Sequence, residues 1–134
     1  MSQFRLLLSS LCVLTLLAVA HYFALEYFWY WTYPLIDIPV HFFGGLGMAL
    51  LVTWFFVRFG ILQNTTSRKR LLFILGGVLA IGILWEFFEV FIGVAKQPGY
   101  FFDTAHDLIN DLCGAVLGYL LAKRLTHLVP SIPI

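Results

Sequence analysis

A set of acidic and imidazole side chains stands in three short patterns that suit the binding of a metal ion. One acid precedes a histidine by four residues, two glutamates are three residues apart, and an aspartate recurs at every fourth position. Residues three or four apart lie on the same face of a helix, so each pattern presents its side chains together. These side chains are Asp37 and His41, Glu86 and Glu89, and Asp103, Asp107 and Asp111.

Carboxylate oxygens with one imidazole are ligands for a divalent cation. The set suits Mg²⁺, Mn²⁺, Fe²⁺ or Zn²⁺, and Ca²⁺ is favoured only if His41 is not a ligand. Taken alone, His41 would more often be a hydrogen-bonded core histidine than a ligand, and beside Asp37 and facing carboxylates the two interpretations are equally favoured. With the ion bound, Glu86 or Glu89 would be the natural general base for activating a water molecule. The sequence therefore predicts a divalent-metal site with these two glutamates as candidate catalytic residues.

Structural roles compete with metal binding at several of these positions. Asp37 and Asp103 stand where helix N-caps are expected, and Asp107 would complement the positive end of a helix dipole. Glu86 and Glu89 fit such a role less well, because they lie within the apolar zone and approach the C-terminal end of their helix, where negative charge is disfavoured. Asp111 also resists it, since it lies two turns inside an apolar segment.

The composition places these polar groups in a membrane protein. The chain has 134 residues, of which 61% are hydrophobic and 11% are charged. A soluble domain of this length has too little interior to bury so much apolar side chain. The net charge of +1, without a large basic patch, argues against a nucleic-acid partner. Cys12 and Cys113 lie in apolar runs, which favours small buried residues over a disulfide or a thiolate metal site.

Apolar runs of membrane-spanning length occur four times. We predict an all-α fold, a polytopic membrane protein in which a four-transmembrane-helix bundle forms one domain over residues 1–134. The first run is interpreted as a retained span rather than a signal peptide, because apolar and aromatic residues continue without a break through Trp31. The predicted spans are residues 4–28, 38–59, 71–95 and 104–125.

Glycines recur on the second and third predicted spans. Small residues let neighbouring helices approach closely in a membrane. We therefore expect helix contacts at these positions, and the same faces would suit a second copy of the chain or a larger membrane complex. The glycines are Gly44, Gly45 and Gly47, and Gly76, Gly77 and Gly82.

The distribution of charge predicts the orientation. Nearly all lysines and arginines fall at the end that holds both termini and the loop at residues 60–70. By the positive-inside rule both termini are cytoplasmic. The acids fall at the opposite end, so the predicted site faces the periplasmic side of a bacterial inner membrane.

The combined pattern resembles a known family. It reads Asp37-x3-His41-Phe42-x2-Gly45, then Trp85-Glu86-x2-Glu89, then Asp103-Thr104-x2-Asp107-x6-Gly114-Ala115. Over residues 36–122 it resembles the YjdF-like family of small bacterial inner-membrane proteins, whose members tend to be longer. More distantly it is similar to the VanZ-like family, which shares an early Asp/His helix start and an acidic helix in mid-chain. The resemblance implies an integral membrane protein of the cell envelope.

Three functions fit these features. The leading one is a metal-dependent membrane enzyme whose ion activates water against a lipid or lipid-linked envelope substrate, which makes membrane lipid the expected partner. The second is an accessory or structural subunit without catalysis, whose acids meet basic residues of another protein. The third is cation or proton handling. The cytoplasmic halves of the spans argue against it, because they hold few polar residues that could continue a path for ions. Those residues are Ser9, Ser10, Thr15 and Thr53.

Overall fold

A computed structural model describes residues 2–93 and 99–126, and within them all regular structure is helical. The all-α prediction is therefore confirmed for this part of the chain. A 3₁₀ turn, Pro34–Ile36, leads directly into the third α-helix. The α-helices are α1 (Ser2–Glu26), α2 (Trp29–Thr32), α3 (Asp37–Arg58), α4 (Ser67–Ile92) and α5 (Tyr100–Thr126).

Three of these helices, α1, α3 and α4, are long and apolar enough to cross a membrane. They coincide with the first three predicted spans, although the last two residues of the span predicted at 71–95 lie outside the described residues. The segment of the fourth predicted span is helical and belongs to α5, which is 27 residues long. It is not among the three apolar candidates, because polar residues interrupt its first half.

Local signals set the two ends of α4. Thr66 occupies the N-cap position, where its hydroxyl accepts a hydrogen bond from the backbone N–H of Lys69. Gly93 ends the helix in the left-handed conformation, with φ of 81°, which glycine adopts without steric cost. One stripe of α4 is buried at steps of four residues. It consists of Arg70, Ile74, Val78, Gly82 and Glu86.

The closest helix contact joins α3 to α5. A Cβ atom on Gly45 would overlap the backbone of Asp111, and one on Gly114 would overlap the carbonyl oxygen of Phe42. One turn further along, a Cβ on Gly118 would lie 2.6 Å from the carbonyl oxygen of Leu46. The two backbones therefore touch directly, as the glycine pattern of α3 predicts.

The remaining helices pack around this pair. One core cluster lies between α3, α4 and α5 and includes Ala49, Ile74 and Tyr119. A second lies between α1, α3 and α5 and includes Leu6 and Leu50. Gly47 meets Leu14 of α1, whereas a Cβ on Gly76 would meet nothing within 4 Å. The glycines of α4 are thus not all packing residues.

We expect Gly114→Ala to destabilise the protein, because the added methyl group must push α3 away from α5. Such overpacking costs about 1–3 kcal/mol. Unfolding of the purified protein in detergent, followed by circular dichroism, measures the change. Gly76→Ala is the matched control, since its methyl group enters open space, and it should leave the unfolding midpoint unchanged or slightly raised. Equal midpoints for both variants would contradict the close α3–α5 contact.

Candidate metal centre

Parallel packing of α3 and α5 brings the acidic ends of the two helices together. Contacts between them advance in the same direction along both chains, from Gly45 beside Asp111 to Ala49 beside Gly118. Their first turns therefore lie at the same end of the bundle. Asp37 and His41 of α3 consequently face Asp107 and Asp111 of α5.

The imidazole of His41 stands between three carboxylates. Its Nε2 atom lies 3.6 Å from Oδ1 of Asp37 and 3.9 Å from Oδ1 of Asp107. Its Nδ1 atom lies 3.5 Å from Oδ1 of Asp111. His41, Asp107 and Asp111 are buried, while Asp37 is partly exposed. The two nitrogens of one ring thus address different acids.

Three of these side chains can converge on one ion. Asp37, His41 and Asp107, which we call the triad, offer ligand atoms that all lie within 4.8 Å of one another. A tetrahedral ion with ligand distances of 2.0–2.2 Å holds its ligand atoms roughly 3.3–3.6 Å apart. Side-chain movements of at most about 1.5 Å would close that difference. The triad therefore fits a divalent cation after a small contraction.

Asp111 occupies the position of an orienting residue. In metal sites a ligating histidine commonly donates its other ring N–H to a carboxylate, which fixes the tautomer and the ring plane. With Nε2 of His41 directed at the triad acids, Nδ1 is the nitrogen that faces Asp111. Asp111 thus lies on the side of the ring away from the other two aspartates.

Glu86 joins α4 to α5 at Thr104, one helical turn before Asp107. It is 5% exposed, and its Oε2 atom accepts hydrogen bonds from the hydroxyls of Thr104, at 2.6 Å, and Tyr100, at 3.2 Å. Its Oε1 atom is buried without a hydrogen-bond partner among the described residues. A buried oxygen without a donor is costly, so this carboxyl group is a strong candidate for a further ligand or base.

Glu89 and Asp103 lie outside the triad. Oε1 of Glu89 accepts a hydrogen bond from the indole N–H of Trp85 at 2.9 Å. Asp103 is exposed in the first turn of α5. Four residues advance a helix by about 400°, so each four-residue step rotates a side chain by about 40°. Asp103 is consequently turned well away from the direction of Asp111, although both belong to one sequence stripe.

Asp37 is not the N-cap residue of α3, so the alternative role as a helix cap is wrong for this residue. Ile36 occupies the N-cap position of α3, and Asp37 is the first residue of the helix itself. The 3₁₀ turn before it already continues the helical path. The carboxylate of Asp37 is therefore directed towards His41, one turn further on.

Sequence reasoning missed the residues that hold Glu86. Tyr100, Thr104, Asp107 and Asp111 follow one another at intervals of four, three and four residues, which is the spacing of a single helix face. That pattern marks Tyr100 and Thr104 as members of the same polar face as the acids. It does not reveal that their partner is on α4.

A second polar group lies at the C-terminal end of α1. Nδ1 of His21 and the hydroxyl of Tyr30 are 2.6 Å apart, and the His21 ring meets the Trp85 ring edge-on at 5.6 Å between centroids. Burial raises the pKa of Tyr30 above its ordinary value, and the charges of Asp37 and Glu89 raise it further. The Tyr30 phenol therefore stays protonated and can donate to His21.

One comparison with known proteins gives a match. A family described as "predicted membrane protein (DUF2238)" matches residues 2–127. No curated protein and no solved structure matches the chain. The match supports a family of membrane proteins, while the YjdF-like and VanZ-like resemblances stay predictions.

We expect Thr104→Val to lower stability, because it removes the shortest hydrogen bond to a buried carboxyl group while keeping the side-chain volume. The loss should be about 1–2 kcal/mol, measured as a shift of the unfolding midpoint in detergent. Thr104→Ser keeps the hydroxyl and should stay closer to the unsubstituted protein. If valine and serine behave alike, the bond to Glu86 does not contribute to stability.

Proposed function

We propose that this chain, which belongs to the DUF2238 family of predicted membrane proteins, binds a divalent cation at Asp37, His41 and Asp107. When bound, the cation would supply a Lewis acid for the activation of water, and the reaction would be hydrolysis of a membrane lipid or lipid-linked envelope molecule. The observation that carries the proposal is the position of His41, with Nε2 towards two carboxylates and Nδ1 towards a third.

Helix α5 would be the fourth membrane span. At 1.5 Å per residue its 27 residues extend about 40 Å, which is enough to cross a bilayer. Its buried face holds Asp107 and Asp111, whereas Ile109, Val116 and Leu120 are exposed. These two acids thus face the bundle and these three apolar side chains face outwards, as a membrane span requires.

The orientation in the proposal follows the basic residues. Arg58 ends α3, and Lys123 and Arg124 lie in the last turn of α5. Arg68 and Lys69 lie in the first turn of α4, at the same end of the bundle. This end is cytoplasmic by the positive-inside rule, and the triad then faces the periplasmic side of a bacterial inner membrane.

Charge balance favours the triad with a divalent ion bound over the triad without an ion. Two carboxylates and a neutral imidazole carry two negative charges, which a divalent cation neutralises. Burial of unpaired carboxylates is expensive in a low-dielectric environment, so the ion would stabilise the contact between α3 and α5. Three protein ligands also leave positions for water and substrate, as catalytic metal sites do.

Glu86 is the base in this proposal. Its buried Oε1 atom has no donor among the described residues, so it could accept a proton from water and return that proton to the leaving oxygen of the lipid. An ion held by Asp37, His41 and Asp107 would supply the Lewis acidity that makes the water a better nucleophile. Glu89 is a weaker candidate, because the Trp85 indole already donates to one of its oxygens.

A conduit for cations is less well supported than a closed site. The hydroxyl of Ser10 donates to the carbonyl oxygen of Gly47, and the hydroxyl of Thr53 donates to that of Ala49. Both side chains are buried and already hydrogen-bonded to backbone, so they do not extend a polar path from the triad. An accessory subunit would keep the same fold, and metal content separates it from the proposal.

We expect the purified protein to contain one divalent metal ion per chain, measured by elemental analysis. Asp37→Asn and Asp107→Asn should lose the ion, because each removes a charged ligand. Asp103→Asn is the matched control and should keep it. Chelation should lower the unfolding midpoint, since an ion at a hundred times its dissociation constant stabilises by about 2.7 kcal/mol. A metal-free protein that chelator does not affect would reject the site.

Lipid hydrolysis is tested separately from metal binding. In vesicles of a bacterial phospholipid extract with the bound ion present, we expect release of a soluble head group. Glu86→Gln should slow that release by about 10²–10⁴-fold while retaining the metal, because the amide cannot accept the proton. Glu89→Gln should release at the original rate. If the protein binds the metal but releases no head group, the metal site would stand and the proposed hydrolysis would be refuted.

A further inference from the structure

A cavity of about 320 Å³ lies between α1, α3 and α4. α1 packs against α3, and α4 packs against α5 and α3, but α1 and α4 make little contact with each other over the described residues. Ala18 of α1 and Trp85 of α4 line the cavity and are exposed. The cavity is therefore reached sideways, through a gap between two helices of membrane-spanning length.

Each of the three helices contributes the same order of residues to the wall. A deep apolar side chain is followed, seven positions nearer the acidic end of the bundle, by a ring with a polar nitrogen. Seven residues correspond to about 10 Å along a helix. The pairs are Leu14 and His21 on α1, Met48 and His41 on α3, and Val78 and Trp85 on α4. The cavity is thus apolar at its deep end and polar at its outer end.

The outer end of the cavity and the metal centre share a wall. His41 and Asp111 belong to both. Gly82 makes this possible, because a Cβ atom there would lie 2.7 Å from Oδ2 of Asp111. At Gly44 a Cβ would lie 3.7 Å from Oδ1 of the same residue. Without side chains at these glycines, the carboxylate of Asp111 reaches the cavity.

His21 and Trp85 span the gap at the outer end. Their rings meet edge-on, and Tyr30 holds His21 through the contact at Nδ1. The three rings together form an amphipathic rim, apolar towards the deep end and hydrogen-bonding towards the surface. Aromatic and histidine side chains of this kind suit the boundary between lipid chains and head groups.

We propose that this cavity receives one apolar chain of a membrane lipid from the outer leaflet. The chain enters between α1 and α4 and lies along Leu14, Met48 and Val78, and the junction between chain and head group comes to rest beside His41 and Asp111. The bound lipid would be the substrate of the proposed hydrolysis, so its catalytic meaning rests on the proposed function. The cavity then sets the depth at which a lipid bond meets the metal ion.

Physical considerations favour a lipid chain over other occupants. Apolar walls offer few partners to water, which needs two to four hydrogen bonds to occupy a site stably. A helix from another copy of the chain is about 10–12 Å wide, too wide for a cavity of this volume. A single chain matches both the size of ordinary ligand cavities and the order of polarity along the wall, since its polar end also lies nearer the membrane surface.

Photo-cross-linking tests the inference. The probe is phosphatidylglycerol with a diazirine in the middle of one acyl chain, at low fraction in vesicles of phosphatidylethanolamine and phosphatidylglycerol. We expect adducts at Leu14, Met48 or Val78 after illumination and peptide mapping. Ala18→Phe places a ring in the cavity mouth and should abolish those adducts. Ala20→Phe, an exposed alanine of the same helix that does not line the cavity, should leave them intact.

The outcomes separate this inference from the metal site. Metal content and helicity are measured on the same samples, and both should be unchanged in Ala18→Phe. Adducts spread over the outer faces of α1 and α4, with equal yield in both variants, would show ordinary surrounding lipid and overturn the inference. Cavity adducts in a protein without metal would uphold the cavity and reject the metal site. If Ala18→Phe fails to fold, Ala18→Leu narrows the mouth with a smaller side chain.

Discussion

Direct backbone contact between α3 and α5 is the constraint on which the other features depend. Gly45 on one helix and Gly114 on the other leave no side chain between them, so the helices run side by side with their acidic ends together. A wider separation would leave Asp37 and His41 out of reach of Asp107 and Asp111. The same contact concentrates negative charge in a buried place, where only a cation, a proton or another positive group makes it tolerable.

Two sites of opposite character meet at His41 and Asp111. On one side lie the carboxylates of the triad, and on the other lies an apolar cavity that opens between α1 and α4. Such a wall would let a water-soluble reactant and a lipid chain approach the same ion from different directions. Such an arrangement needs a glycine at position 82, because a side chain there would separate Asp111 from the cavity.

The sequence predicts the helices and part of the site, because both follow from spacing along one chain. Asp37 and His41 are one turn apart, and so are Asp107 and Asp111, which lie on the same helix as the glycines of α5. The sequence therefore predicts that the two members of each pair share one helix face. Asp103 fits the same stripe, yet the 40° drift of each four-residue step turns it outwards. The bond from Thr104 to Glu86 and the gap between α1 and α4 arise between distant segments, which local periodicity does not encode.

Diffraction from crystals grown with Mn²⁺ would locate the ion by its anomalous scattering, without reference to activity. We expect one strong peak, about 2.0–2.3 Å from Nε2 of His41 and from a carboxylate oxygen of Asp37 and of Asp107. A peak elsewhere in the molecule, or no peak together with these three side chains turned apart, would rule out a metal site at the triad.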